Sequence, residues 1–186
     1  MEPGAEKRTT NRIGLVVLMA VAVVGAVAAI MAFTNRAEPI ANVPPPSEST
    51  LAPDFTVTLF DGSTFHLAEH LATDGRPVIL NLWASWCAPC RAEMPDFDQF
   101  QVEQPGIMVI GVAVSDQEVP ARSLADELGV SYALGFDASE TVAASYPPLG
   151  MPSTWFIGQD GTVKKQITGQ ISLEKLRELS AGSFGF

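Results

Sequence analysis

The chain contains two cysteines, Cys87 and Cys90, with two residues between them. A disulfide that only stabilises a fold usually closes a longer loop, because the chain entropy that it removes grows with loop length. In an oxidising compartment, one close pair and no other cysteine indicate a redox-active disulfide. The segment Trp86-Cys87-Ala88-Pro89-Cys90 also follows a predicted buried strand and precedes a predicted helix. This position suits thiol chemistry better than a structural role.

The two cysteines are expected to take unequal roles. A thiolate at a helix N-terminus faces unpaired backbone N–H groups, which lower its pKa below the free value of about 8.5. Cys87 should therefore be the partly exposed, attacking thiolate, and Cys90, one turn further along, the more buried cysteine that resolves the mixed disulfide. Pro89 fixes the backbone between them and should help to set the reduction potential. Trp86 is expected to border the active-site surface.

Other uses of a Cys-x-x-Cys motif fit the chain less well. A zinc site needs four ligands, and the chain has no second cysteine pair and only two histidines, His66 and His70. We expect both histidines to be exposed or half-packed. A covalent haem site would need a histidine after Cys90, where Arg91 stands. The sequence therefore predicts no metal ion and no cofactor.

Strand and helix signals surround the motif. Residues 77–83 and 107–114 are apolar runs of strand length, which is typical of strands buried on both faces. Residues 55–67 alternate around Asp61-Gly62, which predicts a hairpin. The remaining order predicts an α/β fold in which a mixed sheet carries helices on both faces, with helices near 91–102 and 119–128 and from Ser172 onward.

The N-terminal part of the chain differs in composition. Residues 13–33 carry no charge, and as a helix they would span roughly 31 Å, the thickness of a bilayer's hydrocarbon core. Three basic residues precede this segment and one follows it closely. Residues 1–12 are therefore predicted to be a cytoplasmic tail and residues 13–33 a transmembrane signal-anchor helix, with the rest exported. The alternative is a cleaved signal peptide, since Ala26-Val27-Ala28 resembles a cleavage site.

The region after this segment consists of a linker and an acidic domain. Residues 34–51 are rich in proline, which favours an extended, semi-rigid linker, and residues 52–186 are predicted to form the folded domain. From Asp54 onward the chain has 17 acidic and 7 basic residues, which gives a net charge of −10. This charge disfavours nucleic acid and anionic lipid surfaces as partners.

The motif and its surroundings resemble the thioredoxin superfamily, and more closely its TlpA/ResA-like branch of membrane-anchored, exported proteins. The resemblance rests on Asn81-Leu82-Trp83-Ala84-Ser85-Trp86-Cys87-Ala88-Pro89-Cys90-Arg91-Ala92-Glu93-Met94-Pro95. It is reinforced by Gly150-Met151-Pro152-Ser153-Thr154-Trp155-Phe156-Ile157 and by Asp160-Gly161. It extends over residues 52–179 and implies a thioredoxin-like mixed sheet flanked by helices, with an added N-terminal β-hairpin.

The resemblance also implies further site residues. In this family a loop proline is cis and packs against the redox pair; Pro152 matches it, and the backbone of the preceding Met151 would pair with an extended substrate. Ordinary thioredoxins carry a buried Asp six residues before the first cysteine, where this chain has Asn81. Glu93 instead follows Cys90 by three residues, and we expect it either to tune the thiol pKa values and assist deprotonation of Cys90 or to be a solvated surface carboxylate.

The function that the resemblance implies is thiol–disulfide exchange outside the cytoplasm. The expected substrates are protein disulfides, such as that of apocytochrome c during cytochrome c maturation, with electrons from a membrane thiol transporter. A disulfide donor or isomerase for exported proteins stays open. A copper-binding redox chaperone is less well matched, because its relatives usually have three residues between the cysteines. A peroxiredoxin-like peroxidase would need a Pro-x-x-x-Thr-x-x-Cys pattern, which is absent.

Overall fold

The structure is a computed structural model and describes residues 50–185. The predicted cytoplasmic tail, the anchor helix at 13–33 and all but the last two residues of the 34–51 linker lie outside the described residues. None of the helices between residues 50 and 185 combines the length and the apolar composition that a membrane span requires.

The described chain forms seven strands and five helices. The strands are β1 Thr56–Leu59, β2 Thr64–His66, β3 Val78–Trp83, β4 Met108–Ala113, β5 Ala133–Phe136, β6 Ser153–Ile157 and β7 Val163–Thr168. The helices are α1 Leu67–Thr73, α2 Ala88–Glu103, α3 Glu118–Leu128, α4 Thr141–Ser145 and α5 Leu173–Phe184.

The strands form one mixed sheet in the order β2-β1-β5-β4-β3-β6-β7. Strands β3, β4 and β5 are parallel neighbours, whereas β1, β2, β6 and β7 join the sheet antiparallel. All six residues of β3 are buried, because the strand lies at the centre of the sheet and is covered on both faces. The predicted mixed sheet is confirmed.

The N-terminal hairpin forms where the sequence predicts it. Gly62 in its turn has a φ of 87°, a conformation that glycine adopts without steric cost. The Asp61 carboxylate accepts a 2.8 Å hydrogen bond from the Ser63 backbone N–H and fixes the turn. Strand β1 pairs with β5, so the hairpin extends the sheet by two strands at one edge.

Helices cover both faces of the sheet, as predicted. On one face α2, α3 and α5 pack against β3 and β4 in a buried cluster that also contains both cysteines. On the other face α1, α4 and the hairpin contact the alternate residues of the same strands. Because side chains alternate along a strand, odd-numbered residues of β3 such as Ile79 and Trp83 face α2, and even-numbered residues face α1 and α4.

Two carboxylates fix helix α2 to its neighbours. Asp96 accepts a hydrogen bond from the backbone N–H of Leu173, in the first turn of α5 (3.0 Å). Asp98 accepts from the backbone N–H groups of Ser131 (2.6 Å) and Tyr132 (3.0 Å), just before β5. These bonds satisfy N–H groups that would otherwise lack partners, and they hold the helix that carries the cysteines in place.

The described chain enters the domain at the turn between β6 and β7. Ala52 donates its N–H to the Gly161 carbonyl (2.8 Å), and Leu51 forms a bridge with Thr162. The end of β6 at this turn pairs with Val78, the first residue of β3. The point of entry therefore lies at the end of the sheet opposite the end at which β3 leads to the cysteines.

Candidate redox site

The two cysteines lie where β3 gives way to α2, at the carboxyl end of the strand. Cys87 and Cys90 are joined by a disulfide, with their Cα atoms 5.3 Å apart. Cys87 is 4% exposed and Cys90 is 0% exposed. The predicted order of burial is confirmed, but Cys87 is less exposed than expected, because in the disulfide its sulfur lies against the first turn of the helix.

Cys87 is the N-terminal capping residue of α2, as the sequence predicts. Its Sγ accepts a hydrogen bond from the backbone N–H of Cys90 (3.2 Å). Pro89 lies in the first turn, where a missing N–H costs no helical hydrogen bond, so the helix begins at Ala88, three residues earlier than expected. A thiolate at Cys87 would receive the same N–H and the positive end of the helix dipole, which both lower the pKa of a thiol.

Asp116, which was not predicted from the sequence, holds the segment before Cys87 in place. Asp116 accepts hydrogen bonds from the Ser85 backbone N–H (2.5 Å) and from the Ser85 hydroxyl (2.8 Å). The neighbouring Ser115 has a φ of 50°, a left-handed conformation that costs a non-glycine residue roughly 1–2 kcal/mol. In this conformation its carbonyl accepts a hydrogen bond from the Trp86 indole N–H (3.0 Å).

A signal for this contact exists in the sequence. Ser115-Asp116 follows the apolar run that forms β4, and Ser85-Trp86 follows the run that forms β3. Because the two strands are parallel neighbours, their carboxyl ends meet at the same edge of the sheet. Polar residues directly after each run are therefore expected to meet beside the active site.

Trp86 is exposed but held in position. Its side chain is 63% exposed, the indole N–H is bonded to Ser115, and Ala88 and Pro89 beside it are also exposed. A large apolar surface fixed next to a reactive disulfide is typical of a site that contacts another molecule. We call the exposed surface of Trp86, Ala88 and Pro89 the apolar rim.

Glu93 is buried beneath the cysteines. It is 0% exposed, so the expectation of a solvated surface carboxylate is wrong. One carboxylate oxygen accepts a hydrogen bond from Asn81 Nδ2 (2.8 Å), and the other accepts from the backbone N–H of Ile171 (2.8 Å). Glu93 lies three residues after Cys90 on α2, and both are buried, so their side chains are neighbours on the inner face of the helix.

Burial raises the pKa of Glu93 to about 7. The hydrogen bonds from Ile171 and Asn81 oppose this rise, and the nearby charge of Asp96 adds to it. A carboxyl group with a pKa of about 7 is partly ionised at neutral pH, so it can both accept and return a proton.

Asn81 links Glu93 to the sheet. It is fully buried, and its Nδ2 donates to Glu93 and to the Thr154 hydroxyl of β6 (3.1 Å). An aspartate at this position could not donate to Glu93 when ionised, and it would place two carboxylates side by side in the core. Asn81, where ordinary thioredoxins have Asp, is therefore chemically consistent with the buried carboxyl group of Glu93.

The loop before β6 lies at the same end of the sheet as the disulfide. The Met151–Pro152 peptide bond is cis, as the resemblance implied, and Pro152 is buried. Ser153, the next residue, pairs with Leu82 near the end of β3. The carbonyls on either side of Met151 accept internal hydrogen bonds, Gly150 from the Ser153 hydroxyl and Pro152 from the backbone N–H of Gly169. Met151 itself packs against the cluster that holds both cysteines.

The histidines serve local structure. His66 caps helix α1 by accepting from the Glu69 N–H (3.4 Å), and the His70 ring packs on Phe65 at 5.3 Å and contacts the Arg76 carbonyl (3.1 Å). Both are half-buried, as expected. In residues 50–185, no three His, Cys, Asp or Glu side chains are grouped closely enough to hold a metal ion.

Comparisons with known proteins match the same region. The model of the AhpC/TSA family matches residues 49–166. The thiol–disulfide oxidoreductase ResA of Geobacillus thermodenitrificans is 30% identical over 131 residues, which cover 68% of this chain and 72% of that protein. ResA of Bacillus anthracis is 27% identical over 127 residues, 67% and 72% of the two chains.

Solved structures share the fold. A thiol:disulfide interchange protein of the thioredoxin family from Chlorobium tepidum superposes with a TM-score of 0.64 and is 28% identical, covering 75% of this chain and 99% of that one. A secreted disulfide oxidoreductase from Mycobacterium tuberculosis, homologous to DsbE, has a TM-score of 0.61 and 26% identity, covering 69% and 95%. The thioredoxin-like fold that the resemblance implied is confirmed, and the chain belongs to the AhpC/TSA family and, within it, is a thiol–disulfide oxidoreductase of the ResA type.

Proposed function

We propose that this oxidoreductase works as a reductant of protein disulfides outside the cytoplasm, tethered to the membrane by residues 13–33. The observation that carries the proposal is the buried carboxyl group of Glu93 beneath Cys90. A negative charge there disfavours a thiolate at Cys90. Strong oxidants of this fold owe their high reduction potential to a stabilised reduced form. A negative charge that disfavours the thiolate destabilises the reduced form and therefore favours a reductant.

The first step is attack on the substrate. The Cys87 thiolate, stabilised by the N-terminus of α2, attacks one sulfur of the substrate disulfide. A mixed disulfide forms, and the second substrate sulfur leaves as a thiolate.

The second step releases the substrate. Cys90 loses its proton, attacks the Cys87 sulfur and displaces the first substrate sulfur, so that two electrons pass from the dithiol to the substrate and the Cys87–Cys90 disulfide forms. Among the residues of α2, all of which the structure describes, Glu93 is the only buried carboxyl, and in its ionised form it accepts the Cys90 proton.

The exposed parts of the site would contact the substrate. Trp86 and Pro89 of the apolar rim flank Cys87, and the Met151–Pro152 loop lies at the same end of the sheet. An extended substrate would pair with the backbone of Met151, the residue before the cis bond.

The proposed membrane tether would support this function. The described chain enters the domain at the β6–β7 turn, at the end of the sheet opposite the disulfide. A membrane tether would raise the effective concentration of the redox site near membrane partners. The resemblance implies an apocytochrome c Cys-x-x-Cys-His disulfide as substrate and a membrane thiol transporter as electron source.

The reduction potential of Cys87–Cys90 tests the direction of electron flow. Proteins of this fold range from about −270 mV to about −120 mV. We expect a value at the reducing end, together with reduction of an oxidised Cys-x-x-Cys-His peptide. A value near −120 mV would contradict the proposal and favour a disulfide donor.

Two controls test for a copper chaperone and for a peroxidase. Copper titration of the reduced protein should give no stoichiometric binding, and tight 1:1 binding would favour the copper chaperone. Peroxide consumption should stay at the uncatalysed rate, and turnover dependent on Cys87 would favour a peroxidase.

A further inference from the structure

The first four residues of α2 carry one charged side chain, the guanidinium of Arg91. Arg91 directly follows Cys90, and its backbone N–H donates to the carbonyl of Cys87, one turn earlier (3.1 Å). The Cα–Cβ bonds of a helix are tilted towards its N-terminus, so the Arg91 side chain leaves the helix towards the end that Cys87 caps. A cation near a cysteine stabilises the thiolate, in addition to the effect of the helix dipole.

Arg91 is held by Glu127, a residue of α3. Its Nη1 donates to Glu127 Oε2 (2.9 Å) and its Nη2 donates to Glu127 Oε1, so the two side chains form a bidentate pair. These hydrogen bonds raise the pKa of Arg91 and lower the pKa of Glu127 from their ordinary values. Both groups therefore stay charged around neutral pH.

Neither charge suits the helix that carries it. Arg91 adds a positive charge at the positive end of the α2 dipole, and Glu127, the last residue but one of α3, adds a negative charge near the negative end of that helix. The Arg91 and Glu127 side chains are 45% and 59% exposed, and ion pairs as exposed as this one contribute little to stability. The chemistry of the adjacent cysteines explains such a pair better than the stability of the helices does.

We propose that Arg91 and Glu127 are positioning residues whose opposite charges balance each other beside the Cys87 thiolate. The cation alone would stabilise the thiolate and the anion alone would destabilise it, so the pair together leaves it nearly unchanged. A strongly stabilised thiolate stabilises the reduced form, which is the property of a strong oxidant. Glu127 thus prevents the charge of Arg91 from moving the site towards the oxidising end of the range.

The other charged groups around the cysteines are the same in every variant of this pair. Glu93 lies on α2 beneath Cys90, and Asp116 lies in the loop between β4 and α3, where it binds the segment before Cys87. The loop before β6, residues 150–153, carries no ionisable side chain. A change in either member of the pair is therefore measured against a constant background.

A second pair of the same kind lies at the other end of α2. Arg177 of α5 donates from Nε (2.9 Å) and Nη2 (2.7 Å) to the carboxylate of Glu103, the last residue of α2. Twelve helical residues separate Glu103 from Arg91, a distance of roughly 18 Å along the helix axis. This pair is a control for the loss of a bidentate contact between helices without a change of charge beside Cys87.

The inference rests on the role proposed above for Cys87 as the attacking thiolate. The test measures how alkylation of Cys87 by iodoacetamide depends on pH in the full chain, reduced with excess dithiothreitol and desalted, with mass spectrometry to identify the modified cysteine. Arg91→Gln, Glu127→Gln and the double variant are compared with the wild type, and Glu103→Gln and Arg177→Gln are the controls. Each protein is measured at low salt and at about 1 M salt, where the Debye length is about 3 Å.

We expect opposite shifts in the two single variants at low salt. Glu127→Gln should lower the alkylation midpoint of Cys87 and Arg91→Gln should raise it, each by about 0.3–0.6 pH unit, the effect of one charge about 10 Å away in a medium close to water. The double variant and both controls should stay close to the wild type. The shifts should shrink at high salt, because the pair is exposed.

Shifts of the same sign in Arg91→Gln and Glu127→Gln, or no shift in either, would overturn the inference. An equal shift in Glu103→Gln would do the same, because it would show a general effect of losing an ion pair on α2. Faster alkylation of Cys90 than of Cys87 in the wild type would instead overturn the role proposed for Cys87. None of these results decides the direction of electron flow, which the reduction potential of the wild type tests separately.

Discussion

The two sulfurs of one disulfide lie in contrasting surroundings. Around Cys87 the surface is apolar and exposed, and the Ser115–Asp116 segment holds Trp86 in place from outside the helix. Beneath Cys90 the surroundings are buried and polar, with Glu93 and Asn81 joined by a hydrogen bond. The difference indicates that separate groups carry out substrate contact and proton transfer: Trp86 contacts the substrate beside Cys87, and Glu93 accepts the proton of Cys90.

The largest effect should come from the cysteines themselves. Cys87→Ser should reduce turnover to background and form no covalent complex, because the attacking thiolate is gone. Cys90→Ser should also lose turnover but accumulate a mixed disulfide at Cys87, visible by mass spectrometry of the intact complex. If the complex formed on Cys90 in the Cys87→Ser variant instead, the assignment of roles would be reversed.

Replacement of Glu93 should give the next largest effect. Glu93→Gln removes the proton acceptor beneath Cys90 and should slow resolution of the mixed disulfide at neutral pH by about 10²-fold, the lower end of the range for general base catalysis. Stopped-flow tryptophan fluorescence would measure the rate. A control is Glu103→Gln at the end of α2, whose carboxylate binds Arg177 on the surface and should leave the rate unchanged.

The same substitution should change how stability depends on pH. The folded pKa of Glu93 is about 7, above its ordinary value of 4.5, so the folded state favours the protonated form. Its stabilising contribution is complete below pH 4.5 and is lost as the pH rises through 7, by at most about 3 kcal/mol. Urea unfolding of the oxidised protein should show Glu93→Gln gaining stability relative to the wild type over this interval. A constant difference would contradict the raised pKa.

Loosening the Ser115–Asp116 segment should have a moderate effect confined to the Cys87 side. Asp116→Asn weakens two charged hydrogen bonds to Ser85 and should lower kcat/KM about 5- to 30-fold, the equivalent of about 1–2 kcal/mol. Asp160→Asn is a matched control, since Asp160 binds the Thr162 N–H and hydroxyl in the same way at the opposite end of the sheet. Equal losses in both variants would show a general effect on stability.

The smallest effect should come from the apolar rim. Trp86→Ala removes exposed contact surface and should raise KM several-fold while the reduction potential stays close to that of the wild type. Val119→Ala, which alters a similarly exposed apolar residue on α3, serves as the control and should change neither quantity. A large change in potential in Trp86→Ala would mean that Trp86 acts on the disulfide itself.

Much of this arrangement could be predicted from the sequence, because its signals are local. The Cys-x-x-Cys spacing, the apolar run before it and the Asp61-Gly62 turn each depend on a few neighbouring residues, and the cis bond at Pro152 followed from the resemblance. The burial of Glu93 could not be decided, since it depends on which face of α2 lies against β3. The contact between Asp116 and Ser85 joins residues 31 apart, and it follows only once β3 and β4 are known to be neighbours.

The central claim is that separate groups act in substrate contact at Cys87 and in proton transfer at Cys90. The pH profile of mixed-disulfide resolution tests it most directly. It would be measured in single-turnover experiments on the wild type, Glu93→Gln and Trp86→Ala. The account predicts an inflection near pH 7 in the wild type that Glu93→Gln loses and that Trp86→Ala keeps at the same pH. An unchanged inflection in Glu93→Gln, or a displaced one in Trp86→Ala, would contradict it.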